Sequence, residues 1–196
     1  MITLNSEFWN KRYLDKETGW DIGYVSTPIK EYFKQVKNKK LKILIPGGGN
    51  SYEAEFLFKK GFTKTFLLDY AKTPLINFQK RNPKFPSNQL IHCNFFDYQE
   101  NFDIIIEQTF FCAIYPKLRK KYSEKCNDLL NKNGKIIGLL FDDQLYNDKP
   151  PFGGSKKEYE IIFKNLFNIK KMEACKNSIP QRLGRELFIN LEKKQS

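Results

Sequence analysis

From Lys42 onward, short runs of β-branched and apolar residues alternate with longer segments whose apolar positions recur every three to four residues. A buried strand shows a short continuous apolar run and a helix shows an apolar stripe, so this alternation predicts an α/β sheet with crossover helices. The runs predict strands at Lys42–Ile45, Thr65–Leu68, Gln89–His92, Phe102–Ile106, Lys135–Phe141, Ile169–Glu173 and Glu186–Leu191. The longer segments predict helices at Tyr52–Lys60, Pro74–Lys80, Pro116–Asn131 and Lys156–Phe163. Proline near two of the starts fits a first helical turn, which needs no N–H there, and Asn133-Gly134 is expected to end the third helix.

The last two strands are separated only by Lys176 to Gly184, too short for a crossover of about a dozen residues, so the last strand must run antiparallel to its neighbour. Ahead of the sheet, Ser6 to Lys37 carries Phe8, Trp9, Tyr13, Trp20 and Tyr24 among charged residues. This segment is expected to form helices that cap the carboxyl edge of the sheet. The organisation is then a single domain over residues 1–196, with a cap or lid at 1–37 and an α/β core at 41–193.

Composition narrows the class of protein. A chain of 196 residues with 40% hydrophobic content suits one compact domain. No run approaches the ~18–20 apolar residues of a membrane span, and the start lacks a basic region followed by an apolar one, so a cytoplasmic protein with no membrane contact is expected. Cys93, Cys112, Cys126 and Cys175 are far apart and His92 is the one histidine, so neither a metal site nor a disulfide framework is indicated. The formal charge of +12 raises the possibility of a nucleic-acid partner. However, arginine, the residue suited to bidentate phosphate recognition, accounts for only Arg12, Arg81, Arg119, Arg182 and Arg185. The scattered lysines fit a solvated surface better, and no nucleic acid is expected.

The candidate chemistry sits at strand ends. Lys42 to Pro46 leads into Gly47-Gly48-Gly49-Asn50-Ser51 and then a helix, which places a glycine turn where open α/β sheets bind ligands. Glycine permits positive φ and close backbone approach, and the following helix presents free N–H groups. Asp69 ends the next strand, about 20 residues on, where a carboxylate can accept both hydroxyls of a ribose; a helix cap before Ala71-Lys72 is its other reading. Dinucleotide folds place a third glycine where Tyr52 stands, which favours S-adenosylmethionine over NAD. After the third strand, Cys93-Asn94-Phe95-Phe96-Asp97 offers polar groups, at Asn94 or Asp97, beside aromatics suited to adenine.

With these residues in place, the chain resembles the thiopurine S-methyltransferase family, particularly its halide/thiol methyltransferase branch. The matching blocks cover nearly the whole chain: Trp9 with Thr18 to Gly23 and Ser26-Thr-Pro28; Ile45 to Gly49; Leu68-Asp69; Phe102 to Ile114; Pro150-Pro-Phe152; and Ser178-Ile-Pro180 with Gly184-Arg-Glu186. The resemblance implies a class I, Rossmann-like methyltransferase fold, with a seven-stranded, mostly parallel sheet, an antiparallel last strand, helices on both faces and an N-terminal helical lid. It implies an S-adenosylmethionine site made from Trp9, Tyr13, Trp20, Gly47, Gly49, Asp69, Asn94, Phe95 and Gln108. The family often has tryptophan at Tyr13, aspartate at Asn94 and tyrosine or arginine at Gln108. Gln108 therefore lacks the arginine charge of thiopurine enzymes, which argues against a thiopurine acceptor.

Aromatic faces attract cations within about 6 Å of the ring centroid, so Trp9, Tyr13 and Trp20 also suit a sulfonium on physical grounds. The acceptor pocket is expected from Tyr24, Phe111, Phe152 and Arg182, with Pro150-Pro-Phe152 over its mouth, and no residue stands out as a general base. That absence suits a thiol, hydrosulfide or halide, which needs little deprotonation. Amino methyltransferases acting on nucleic acids or proteins commonly carry Asp/Asn-Pro-Pro-aromatic after the fourth strand, where this chain has Glu107-Gln-Thr-Phe-Phe111. An RNA or other macromolecule methyltransferase, or a non-catalytic S-adenosylmethionine-binding module, are the alternatives. The sequence does not indicate an oligomeric state.

Overall fold

The computed structural model describes residues 2–195; Met1 and Ser196, the ends of the expected domain, lie outside the described residues. Seven strands form one sheet: β1 Ile43–Pro46, β2 Thr65–Asp69, β3 Leu90–His92, β4 Phe102–Gln108, β5 Leu130–Phe141, β6 Phe167–Ala174 and β7 Glu186–Lys193. Their order across the sheet is β3-β2-β1-β4-β5-β7-β6. β1 to β5 pair in parallel, while β7 lies between β5 and β6 and is antiparallel to both. All seven strands predicted from the apolar runs are present, and the reversed last strand is where the short 176–184 connection requires it.

Alternation along the strands sends side chains to two separate cores. Leu44, Ile105, Ile136 and Leu140 pack with Tyr122 and Cys126 of α5 (Arg119–Leu129) and Tyr159 and Phe163 of α6 (Lys156–Phe163). Ile43, Ile45, Ile104, Ile106 and Ile137 pack with Ala54 and Leu57 of α3 (Tyr52–Lys59) and Leu75 and Phe78 of α4 (Lys72–Arg81). Helices therefore cover both faces, which is why β1 and β4 are apolar almost throughout.

Two expectations change. The third helix, expected to run to Asn131 and end at Asn133-Gly134, stops at Leu129. Leu130 already pairs with Phe102, and the next pair is Lys135 with Ile104, so residues 131–134 form a bulge with Asn133 at φ 63°. The N-terminal segment is also not one cap. α1 (Ser6–Leu14) has no buried residue, whereas α2 (Thr27–Lys34) sinks Ile29 and Phe33 into the second core. The outer cap accordingly ends near Tyr24, and α2 is part of the α/β body. No helix among the described residues is long and apolar enough to cross a membrane.

Candidate functional site

The strand order reverses between β1 and β4, and in open α/β sheets the crevice at the carboxyl ends of those strands receives the ligand. β1 empties there into Gly47-Gly48-Gly49. Gly47 (φ 55°) and Gly49 (φ 58°) adopt left-handed backbone; a Cβ on Gly47 would lie 2.2 Å from the Phe110 ring, and one on Gly49 2.2 Å from the Tyr13 hydroxyl. Asp69, at the end of β2, closes this turn: Oδ2 accepts from Gly49 N at 2.8 Å and Oδ1 from Ala71 N at 2.8 Å. Burial pushes the Asp69 carboxyl up to about 6 against the pull of those two N–H groups.

The cap is stitched over this turn at three points. Thr73 N of α4 donates to Asn10 Oδ1 at 2.9 Å, Asn50 Nδ2 donates to Asp21 Oδ2 at 2.6 Å, and Arg182 Nη2 donates to the Trp20 carbonyl at 2.7 Å. Trp20 packs edge-on against Trp9 and Tyr13, with ring centroids 5.7 and 5.8 Å away. Between cap and turn lies a cleft, open to solvent on one side and holding about 370 Å³ of free space, lined among others by Trp20, Asp21, Tyr24, Asn50, Glu53 and Gln108. Two side-chain oxygens on it, Asn50 Oδ1 and Gln108 Oε1, are buried without a partner. An unsatisfied buried acceptor costs about 1–3 kcal/mol, so the cleft is set to receive hydrogen-bond donors.

The turn after β4 is strained and braced. Thr109 sits at φ 61°, a conformation β-branched residues avoid and one that marks functional sites when the surroundings enforce it. The enforcement comes from Glu107, which is fully buried: Oε1 accepts from Phe110 N at 2.8 Å and Phe111 N at 2.9 Å, and Oε2 accepts from the Tyr122 hydroxyl at 2.7 Å. Burial raises the Glu107 carboxyl to about 7. Thr109 also lines a second, smaller space of about 250 Å³, walled by Glu107, Phe111, Cys112, Tyr159 and Glu186.

Of the residues singled out in the sequence, Trp20, Tyr24 and Gln108 line the cleft, and Gly47, Gly49, Asp69 and Tyr13 meet at the glycine turn. Trp9 backs Trp20, Phe111 lines the smaller space and Arg182 ties that side to the cap. Three others sit differently. Asn94 Oδ1 accepts from Phe96 N at 3.1 Å and so caps its own turn. Phe95 is buried in the core against Phe110 and Tyr122. Phe152, expected over the mouth, is buried too; its N–H donates to Cys112 O at 2.7 Å and its ring packs on Tyr115, so it pins the β4 turn from behind. Sequence reasoning missed Asn50, Asp21, Glu53, Glu107 and Glu186. A signal existed for two of them: a carboxylate within the apolar runs Ile104-Ile-Ile-Glu107 and Glu186-Leu-Phe-Ile189 is costly unless it has a task.

The model of the family described as thiopurine S-methyltransferase matches residues 4–193. A probable thiol methyltransferase 2 of Arabidopsis thaliana is 27% identical over 167 residues, covering 83% of this chain and 74% of the relative. Thiocyanate methyltransferase 1 of Brassica oleracea is 25% identical over 195 residues, covering 94% of this chain and 84% of the relative. Among solved structures, Burkholderia thailandensis 1,6-didemethyltoxoflavin-N1-methyltransferase with bound 1,6-didemethyltoxoflavin and S-adenosylhomocysteine matches with a TM-score of 0.77. That match covers 97% of this chain and 87% of the other at 12% identity, a likeness of fold. The reversed β7, the glycine turn facing Asp69 and a family match from end to end lead to one conclusion: the chain belongs to the thiopurine S-methyltransferase family and is an S-adenosylmethionine-dependent methyltransferase of class I fold.

Proposed function

We propose that the protein transfers a methyl group from S-adenosylmethionine to a small soft nucleophile, a thiol, hydrosulfide or halide. The observation that carries this reading is the turn after β4. Its Phe110 and Phe111 N–H groups are committed to Glu107, its Thr109 borders a space walled by Phe111, Cys112 and Tyr159, and it carries no Asp/Asn-Pro-Pro-aromatic run of the kind that aligns a planar nitrogen. The names of the relatives, a thiol and a thiocyanate methyltransferase, point to sulfur acceptors as well.

The residues present fit the cofactor. S-adenosylmethionine carries a cationic ammonium and a sulfonium. The cleft offers two unpartnered oxygens, Asn50 Oδ1 and Gln108 Oε1, beside Asp21 and Glu53. In this reading Trp9, Tyr13 and Trp20 enclose the sulfonium and Asp69 accepts the ribose hydroxyls. Gly47 and Gly49 admit the backbone, and the Asn94-Phe95 turn borders the adenine through its main chain. Bound S-adenosylmethionine supplies an activated methyl group for in-line displacement. The chain's own contribution is to exclude water beneath the cap and to hold the acceptor in near-attack geometry, from which proximity supplies about 7–11 kcal/mol. A headspace assay with iodide, hydrosulfide and an aromatic thiol supplied separately tests the reading. It expects a methylated volatile from at least one, and a protein that binds S-adenosylmethionine yet methylates none of them contradicts it.

A further inference from the structure

The smaller space beside Thr109 has a wall of unusual charge. Glu186, at the start of β7, pairs in register with Phe141 at the end of β5, which sets its side chain at the ligand-binding edge of the sheet. It is 3% exposed and borders the space together with Glu107, Cys112 and Tyr159, none of which brings a positive charge. On its own segment, the Ser178 hydroxyl donates to Glu186 Oε2 at 2.7 Å, and Arg182 Nη1 stands 3.5 Å from Oε1. The other cations nearby are engaged elsewhere: Arg185 by Asp143, and Arg119, stacked on Phe111 and Tyr159, by Glu158 and the Phe152 and Gly153 carbonyls.

The two carboxyl groups differ in what they have left to offer. Glu107 is saturated by two N–H groups and the Tyr122 hydroxyl. Glu186 Oε1 has no close hydrogen bond, only the longer contact with Arg182, whose Nη2 is already given to Trp20 O. A preformed anion entering this space meets two carboxyl groups and one shared arginine, whereas a neutral acceptor meets an oxygen free to take a proton. Resting on the reading of the protein as a methyltransferase of small soft nucleophiles, we propose that Glu186 is the proton acceptor for a neutral thiol. The site then takes R–SH in preference to a preformed anion such as a halide or thiocyanate.

The step balances without a further reactant. The S–H bond breaks and its proton passes to Glu186 Oε1. The sulfur lone pair forms the new S–CH₃ bond while the bond from that carbon to the sulfonium sulfur breaks, leaving S-adenosylhomocysteine with the electron pair. Glu186 then releases the proton to water. Burial raises the Glu186 carboxyl above the ordinary range, opposed by Ser178, Arg182 and Arg185, which makes it a stronger base than an exposed glutamate.

The test compares wild type with Glu186→Gln on two acceptors at one pH: an alkyl thiol, still protonated, and an acidic aromatic thiol, already ionised. S-adenosylhomocysteine binding by calorimetry reports whether the cofactor site is intact. General-base catalysis is worth about 10²–10⁴-fold, so the variant should bind S-adenosylhomocysteine as wild type does and lose about 100-fold or more on the alkyl thiol. Its loss on the ionised thiol should be no more than a few-fold. Equal loss on both, or loss on neither, overturns the proposal. If the variant does not fold, the wild-type pH profile decides. With Glu186 as base, the alkyl-thiol rate levels off well below the thiol's own pKa; without it, the rate climbs tenfold per pH unit up to that pKa. A wild type that methylates iodide but no thiol leaves the broader function standing and sinks this proposal, whereas one that methylates no small nucleophile sinks the broader function itself.

Discussion

Arg182 reaches across the site mouth and donates through Nη2 to the backbone carbonyl of Trp20 at 2.7 Å, joining the segment before β7 to the N-terminal cap. A hydrogen bond from a charged group is worth about 1.5–3 kcal/mol, enough to bias a short cap between ordered and loose states. Arg182→Ala should therefore weaken S-adenosylhomocysteine binding by about tenfold or more. The chain's two tryptophans, Trp9 and Trp20, both lie in the cap, so intrinsic fluorescence reports on it directly. In wild type, S-adenosylhomocysteine should change emission saturably, and in Arg182→Ala and Trp20→Phe that change should shrink. Unaltered affinity and emission in Arg182→Ala would remove this contact from closure.

The position of α2 makes truncation informative. Deletion through Tyr24 removes α1 and the aromatic cap but spares Ile29, Phe33 and the 2.9 Å hydrogen bond from Ser26 N to the buried Glu53. That protein should keep a folded sheet while losing cofactor affinity and turnover. Deletion through Lys37 strips two large side chains from the second core, at about 3–5 kcal/mol for a phenylalanine alone, and should yield a protein that melts far lower or does not fold. Circular dichroism and thermal melts of the two truncations check both statements. Full activity in the shorter truncation would show that the cap is packing only.

Asp69 links pH to cofactor binding. Its carboxyl titrates near 6 because burial disfavours the charge, and the ionised form is the better acceptor for ribose hydroxyls. S-adenosylmethionine affinity should hold above that pH and fall as pH drops through about 6. Asp69→Ala should bind at least tenfold more weakly at every pH and lose the dependence. Titration calorimetry from pH 5 to 8 measures both, and a folded Asp69→Ala protein of unchanged affinity would exclude Asp69 from the site.

Glu107 links pH to stability with a definite sign. Its carboxyl is raised to about 7 in the folded protein from an ordinary 4.5, so the unfolded chain gives up its proton first as pH rises. This group's contribution to stability is present below about 4.5, declines between 4.5 and 7, and is gone above; the total is at most roughly 3 kcal/mol. Glu107→Gln keeps a carbonyl for Phe110 N and Phe111 N and an amide for Tyr122, so it should unfold with a flatter pH dependence over that window. Denaturant melts at several pH values decide it, and identical slopes in the two proteins would contradict the buried-carboxyl account.

The centre of the sheet was legible in the sequence because its strands are covered on both faces and read as short Ile/Leu runs, as in Ile43 to Ile45 and Ile104 to Ile106. The end of α5 was not. Asn133-Gly134 has the composition of a helix stop, but it serves a bulge after the chain has already paired Leu130 with Phe102. The glycine turn and Asp69 were legible because their spacing fixes their positions on neighbouring strands. The packing of the Phe95 ring was not legible, because an aromatic at a strand end looks alike whether its ring faces a ligand or the core, and here the ring packs onto Tyr122. The buried acids were passed over since Glu107 and Glu186 differ from surface glutamates only in their apolar neighbours. What those acids accept from, two backbone N–H groups in one case and Ser178 in the other, depends on local turns that no periodicity reveals.

The central claim, methyl transfer to a small soft nucleophile, is tested most directly by following the label from methyl-labelled S-adenosylmethionine in parallel reactions with an alkyl thiol, iodide and RNA at low and high salt. The account predicts label in a volatile methyl thioether or methyl halide, with the rate little changed by salt, and none in RNA; RNA binding through phosphate contacts would fall steeply with salt. Robust label in RNA, with none in any small nucleophile, would contradict it.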